Sequence, residues 1–211
     1  VVTAVAYYSM VRTLETHALS QLTSYVRERC VRESQIFRLA QDNHRILAAE
    51  LLKRYTTPVG EPFGNRFDQL VAREADGVWR NRRDGSHRAE QPCIYLDEKL
   101  VIDDNVRRRV EIYHDLCVEY GPAWRSRFQD TYIHHPDGIM VLYWPERSTW
   151  CQQARASLEI AEEEYSWVAD PKHDPERRSV WTGVFYDHVA DLWMTSCETP
   201  VYDEDQHIAT I

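Results

Sequence analysis

Large aromatic rings and charges of both signs occur together in three short stretches of this 211-residue chain. Such a mixture favours the binding of a small polar molecule, with the rings as walls of a pocket. Arg147 and Asp187 would supply opposite charges to that molecule. The candidate ligand-binding residues are Tyr143, Arg147, Trp150, Tyr186, Asp187 and Trp193.

The same residues also have a simpler interpretation. Aromatic side chains are often buried for packing alone, and Asp187 could do no more than begin the turn Asp187–Asp191. The pocket requires that two predicted hairpins, residues 131–144 and 179–202, be neighbours in one sheet, so that these side chains converge above its open face.

Catalytic and metal chemistry find less support in the sequence. His134 and His135 are adjacent, so on a strand they point to opposite faces and cannot share one metal ion. There is no glycine-rich phosphate loop and no GxSxG motif. A hydrolase using His and Asp stays open, but no motif places its nucleophile. We therefore predict no catalytic residue, no metal and no cofactor.

The composition narrows the class of partner. The formal net charge is −9 at pH 7, so nucleic acid and anionic lipid would be repelled, and nucleic acid is not predicted as a partner. The acidic run Glu162–Glu164 is predicted to be a solvated helix face. The five cysteines form no CxxC motif, and their pairing cannot be deduced.

A long helix is predicted over residues 1–56, which contain neither Gly nor Pro. It has two apolar zones separated by the polar run RERCVRESQ, as in a stalk that touches two bodies. The first zone is Val11, Leu14, Ala18, Leu22, Tyr25 and Val26. The second, predicted to pack on a core, is Ile36, Phe37, Leu39, Ala40, Ile46, Leu47 and Leu51.

The rest of the chain predicts an α+β fold, with a central antiparallel sheet flanked by helices. The two hairpins and a last strand from His207 supply most of the sheet. The other predicted elements are a short helix 67–75, a first strand 77–82 closed by the turn Asp84-Gly85, a helix capped by Asp103-Asp104 and ended by Gly121-Pro122, and a helical segment 146–167.

The second half of the sequence resembles a Cache domain, the PAS-like extracytoplasmic sensor module of bacterial receptors. The resemblance is strongest over residues 169–211 and extends to the long first helix. The residues that carry it are Trp181-Thr182-Gly183, Tyr186-Asp187, Thr199-Pro200-Val201, His207 to Ile211, and the upstream run Trp150 to Ala154.

The double Cache type, found in sensor histidine kinases and diguanylate cyclases, is the most similar. The resemblance implies a stalk helix over 1–56, with 31–56 packed on the sensor module, and a membrane-distal module over 57–211. It implies a periplasmic location in a membrane-anchored parent and a homodimer formed through the N-terminal helix. Because the chain begins with Val and ends in a strand-like run, we expect a fragment whose membrane-proximal module follows residue 211.

The resemblance implies a signal-transduction role without catalysis, in which a small polar ligand controls a cytoplasmic kinase or cyclase. Amino-acid-binding members carry Arg-x-Trp-Tyr-x-x-Ala and a later Asp. This chain keeps Trp150, Ala154 and Asp187, but Arg147 lies one position early and Cys151 replaces the Tyr. The ligand class therefore stays open. The alternatives are a ligand-free module that senses a protein partner or dimerisation, and a secreted hydrolase.

Overall fold

The computed structural model describes residues 2–57, 66–83 and 90–211. It divides into two compact units, residues 1–40 and residues 41–211. The turn expected at Asp84-Gly85 lies outside the described residues.

The long helix predicted over 1–56 is confirmed as α1, Val2–Glu33, and α2, Gln35–Thr56, with a single turn residue, Ser34, between them. No residue of α1 is buried. In the second apolar zone, the prediction of burial holds for Ala40, Leu47 and Leu51. It is wrong for Phe37, Leu39 and Ile46, which are exposed.

The larger unit has the predicted α+β architecture. Its central sheet has seven antiparallel strands in the order β1-β2-β3-β5-β4-β11-β10. Two further strand pairs, β6–β9 and β7–β8, form separate small sheets. The elements are α3 Phe67–Leu70, β1 Val71–Arg73, β2 Trp79–Asn81, β3 Cys93–Leu96, α4 Asp104–Trp124, β4 Thr131–His135, β5 Ile139–Tyr143, α5 Trp150–Gln153, α6 Glu164–Trp167, β6 Val180–Trp181, β7 Phe185–Asp187, β8 Leu192–Met194, β9 Cys197–Glu198, β10 Pro200–Asp203 and β11 Gln206–Thr210.

Several predicted elements differ from those observed. Only residues 67–70 of the predicted helix 67–75 are helical, and 71–73 form an edge strand. The strand β3 was not predicted, because its fully buried run lacks the alternation of a half-buried strand. The segment 146–167 contains only short turns of helix, including the 3₁₀ turns Pro145–Arg147 and Ile160–Glu162.

The two predicted hairpins are not neighbours in one sheet. The first is confirmed as β4–β5, closed by a turn at Gly138, whose φ is +105°. The second folds as the isolated pair β7–β8 inside β6–β9, and β11 takes the place beside β4. The sequence pattern identifies strands but leaves their partners open.

Each face of the sheet has its own core, because successive side chains of a strand point to opposite faces. Along β5, Val141 and Tyr143 pack with α4 and with Leu47 and Leu51 of α2. Met140 and Leu142 belong to the second core. That second core lies between the sheet and the connector, which runs from residue 145 to residue 175. It contains Trp144 and, from the connector itself, Trp150, Ala154, Ile160 and Tyr165.

The helix α4 begins as predicted, with Asp103 accepting a hydrogen bond from the Val106 amide at 2.8 Å. It does not end at Gly121-Pro122 but continues to Trp124. Pro122 lies in the last turn, so the backbone hydrogen bond that it cannot donate is lost near the end of the helix and not in its middle.

Gly121 allows α4 to approach β5 closely. A Cβ at this position would lie 2.5 Å from Cγ and 2.9 Å from Cβ of Tyr143. We expect Gly121→Ala to lower the free energy of unfolding by about 2 kcal/mol, because the overpacking exceeds the gain in helix propensity. Urea denaturation would measure this change.

Gly183→Ala is the matched control, since its new Cβ would meet only the end of the flexible Glu164 side chain, at 3.2 Å. A change within about 0.5 kcal/mol is expected there. Equal effects of the two substitutions would contradict the close approach at Gly121.

Candidate functional site

A cleft of about 680 Å³ opens on the sheet face opposite α4, between the connector and the β7–β8 hairpin. A smaller cavity of about 30 Å³ lies beneath it, toward the sheet. Both are lined by Trp150, Tyr165, Phe185 and Asp187. The size of the larger cleft suits a small-molecule ligand.

Asp187 joins the two sides of the cleft. Its Oδ2 accepts a hydrogen bond from Trp150 Nε1 at 3.1 Å. Its Oδ1 accepts from the backbone amides of Val189 and Ala190, each at 2.8 Å. Asp187 thus begins the turn after β7, as the simpler interpretation expects, and also lines the cleft.

A disulfide and a set of hydrogen bonds hold the helix α5, which contains Trp150, against the sheet. Cys93 of β3 and Cys151 form a disulfide. Arg80 of β2, almost fully buried, donates to the carbonyl oxygens of Cys151 and Ala154, each at 2.9 Å. The guanidinium also pairs with Glu74 and Asp76, each at 2.9 Å. Trp150 is therefore positioned from the sheet side by a disulfide and by hydrogen bonds from a buried guanidinium to the α5 backbone.

Two acidic residues, Glu163 and Asp187, line the cleft. Burial, and then the charge of Asp187, raise the pKa of Glu163 above its ordinary value. The same two causes raise the pKa of Asp130, which lines the small cavity, to about 7. Arg155 also lines the cleft. The arrangement is an aromatic cup lined by two carboxyl groups, one guanidinium and the imidazole of His188, with a third carboxyl group, that of Asp130, at the small cavity beneath.

A polar cluster lies close to the cavity, in which His134 and Glu198 are fully buried and Tyr132 is partly buried. The Tyr132 hydroxyl, which belongs to a residue lining the cavity, donates to Glu198 of β9. His134 Nε2 lies 3.5 Å from Glu198 Oε2. Burial raises the pKa of Glu198 well above its ordinary value and lowers that of His134 to about 3. The His134 imidazole is therefore uncharged at neutral pH, and burial favours the neutral form of the Glu198 carboxyl beside it.

The structure brings three of the six candidate residues together at the cleft, namely Trp150, Tyr186 and Asp187. Tyr143 lies in the core on the opposite sheet face. Arg147 lines a different cleft, and Trp193 is 70% exposed on the hairpin. The expected convergence of all six fails for two reasons: Tyr143 points to the other face of the sheet, and the second hairpin pairs apart from the central sheet.

Sequence reasoning missed several residues of the cleft. Glu163 was predicted to be solvated, yet it lines the cleft, and the neighbouring Glu164 accepts a hydrogen bond from the Gly183 amide at 2.6 Å. The buried Tyr165 two positions later is the signal that the run is not simply a solvated face. No local sequence pattern predicts that Asp130 and Arg155 belong to the site or that Cys93 pairs with Cys151.

Comparison with known proteins gave no match to this chain among protein-family models, curated proteins or solved structures. Within the described residues, no helix has both the length and the apolar character needed to cross a bilayer.

Proposed function

We propose that this chain is an extracytoplasmic sensing domain that binds a small polar ligand with a cationic group. The ligand occupies the cleft between α5 and the β7–β8 hairpin. The observation that carries the proposal is the cup formed by Trp150, Tyr165 and Phe185 around Glu163 and Asp187.

The electrostatics of the cleft favour a cation. The charge of Asp187 raises the pKa of both Glu163 and Asp130, so the carboxyl groups repel one another when ionised. A bound ammonium group would relieve that repulsion, and aromatic faces attract cations further. Arg155 would meet an anionic group elsewhere on the same ligand.

The same contacts would couple ligand binding to a change in the conformation of the protein. A ligand in the cleft touches α5 on one side and the β7–β8 hairpin on the other, so binding favours one relative position of the two. Transmission through the N-terminal helix to a kinase or cyclase, a homodimer through α1 and a periplasmic location all rest on the Cache resemblance.

The alternatives receive less support. A ligand-free module would fill the pocket with its own side chains, chiefly Trp150 and Trp193, yet Trp193 is exposed and the cleft is open. A hydrolase needs a nucleophile near a histidine. The pairs His44–Thr199 and His207–Thr210, both 3.0 Å, involve residues that do not line the cleft.

The test begins with a thermal-shift screen of small amines, zwitterions, carboxylates and neutral sugars. We expect hits among compounds with an ammonium group. In calorimetry, Glu163→Gln should weaken the best hit about tenfold or more, because a charge-assisted contact is lost.

Glu162→Gln is the matched control, since Glu162 is the adjacent, exposed acid of the same run. Arg147→Ala should also leave the affinity unchanged. Hits confined to anions, or equal affinities of the Glu163 and Glu162 variants, would reject the cationic site.

A further inference from the structure

A second cleft, of about 460 Å³, lies where the end of α4 meets the start of the connector. Three arginines line it, and its only acid is Glu146. The side chains of Trp144 and Phe128 form apolar walls, and Ser126 and Gln129 supply neutral polar groups. The cleft is therefore positive on a protein whose formal net charge is −9.

The arginines of this cleft differ in their partners. Arg125 Nε donates to Glu146 Oε1 at 3.0 Å, so these two charges largely cancel. Arg127 and Arg147 form no ion pair with any described residue, so their charges are not cancelled within the cleft.

The helix end explains only part of this cluster. Cations near a helix C-terminus are stabilised by the helix dipole, which accounts for Arg125 and contributes to Arg127. Arg147 comes from the separate 3₁₀ turn Pro145–Arg147. Because Arg147 lines the same cleft as Arg127, the cleft contains two guanidinium groups without an ion pair.

We propose that this cleft binds a small soluble oxyanion, carrying a carboxylate or phosphate group, between Arg127 and Arg147. Guanidinium groups match the planar, two-oxygen edge of such anions. The volume admits a molecule larger than the anionic group itself, with its apolar part against Phe128 and Trp144. This site is independent of the cationic ligand site.

The test is titration of the chain with inorganic phosphate and with succinate at constant ionic strength, followed by ¹⁵N NMR and calorimetry. We expect saturable binding of at least one of them, with shifts at the amides of residues 125–129, 144, 146 and 147. The double variant R127Q/R147Q should weaken it about tenfold or more.

Arg178→Gln is the control, because Arg178 is 71% exposed in the short segment between the connector and β6 and pairs with Glu176. It removes the same type of charge and should leave binding unchanged. The proposal is overturned if neither anion saturates, if the double variant binds as well as the wild type, or if Arg178→Gln weakens binding equally.

Discussion

Replacing Arg80 with alanine is expected to lower the free energy of unfolding by about 3–5 kcal/mol, the largest effect of any single change proposed here. The side chain is only 3% exposed, so water cannot take over its contacts. The carbonyl oxygens of Cys151 and Ala154 would lose their donor, and a cavity would remain against Tyr95. Chemical denaturation with the disulfide intact measures the change.

Arg83→Ala provides a control that shares an ion-pair partner. Arg83 pairs with Glu74 at 2.6 Å, as Arg80 does at 2.9 Å, but its side chain is 66% exposed. An exposed pair contributes about 0–1 kcal/mol, so its loss should be small. If the two variants lose equal stability, Arg80 does not hold α5 in the way inferred.

Glu198→Ala is the second change with a large expected effect, a loss of about 3 kcal/mol. The truncation would leave the buried Tyr132 hydroxyl without its acceptor and open a cavity next to His134. Glu198→Gln keeps the shape and a polar partner for Tyr132, so it should cost less than about 1 kcal/mol at pH 6.

The two side chains at position 198 should also differ in pH dependence. The folded-state pKa of Glu198 is raised, so the folded protein holds a proton that the unfolded chain releases above about pH 4.5. The contribution of this group to stability is complete below that pH and falls as pH rises toward the folded pKa.

Denaturation at several pH values measures this effect as a difference. Glu198→Gln should become increasingly stable relative to the wild type as pH rises above about 5, toward the folded-state pKa of Glu198. A difference that stays constant as pH rises, or one of opposite sign, would show that Glu198 is not held in its neutral form.

Local patterns were enough to predict the α+β fold and much of its content. The first long helix, the N-cap at Asp103 and the β4–β5 hairpin all depend on residues near one another in sequence. The wrong prediction of the sheet that the β7–β8 hairpin joins has a different origin, because it depends on residues far apart in sequence. Whether that hairpin joins the central sheet is decided by tertiary contacts, which a period-two pattern does not encode.

In the candidate site, too, some residues could be predicted from the sequence and others are determined by tertiary contacts. Trp150 and Asp187 were identified because aromatic and charged residues are informative by type alone. Successive side chains of a strand point to opposite faces of the sheet, so Tyr143 points away from the cleft. Its neighbour Trp144 lies in the core beneath the cleft. No sequence signal marks Arg80 as buried, because a charged residue within a short strand usually indicates a solvent-facing position.

The bond between Cys93 and Cys151 closes the intervening chain, a sequence separation of 58, into a covalent ring that contains α4, β4 and β5. A protease that cuts once inside this ring opens the loop but does not divide the chain into two pieces. Only a thiol reductant acting after the cut would let the two pieces separate. The chain's integrity after a nick in this region is thus set by the redox state of its surroundings.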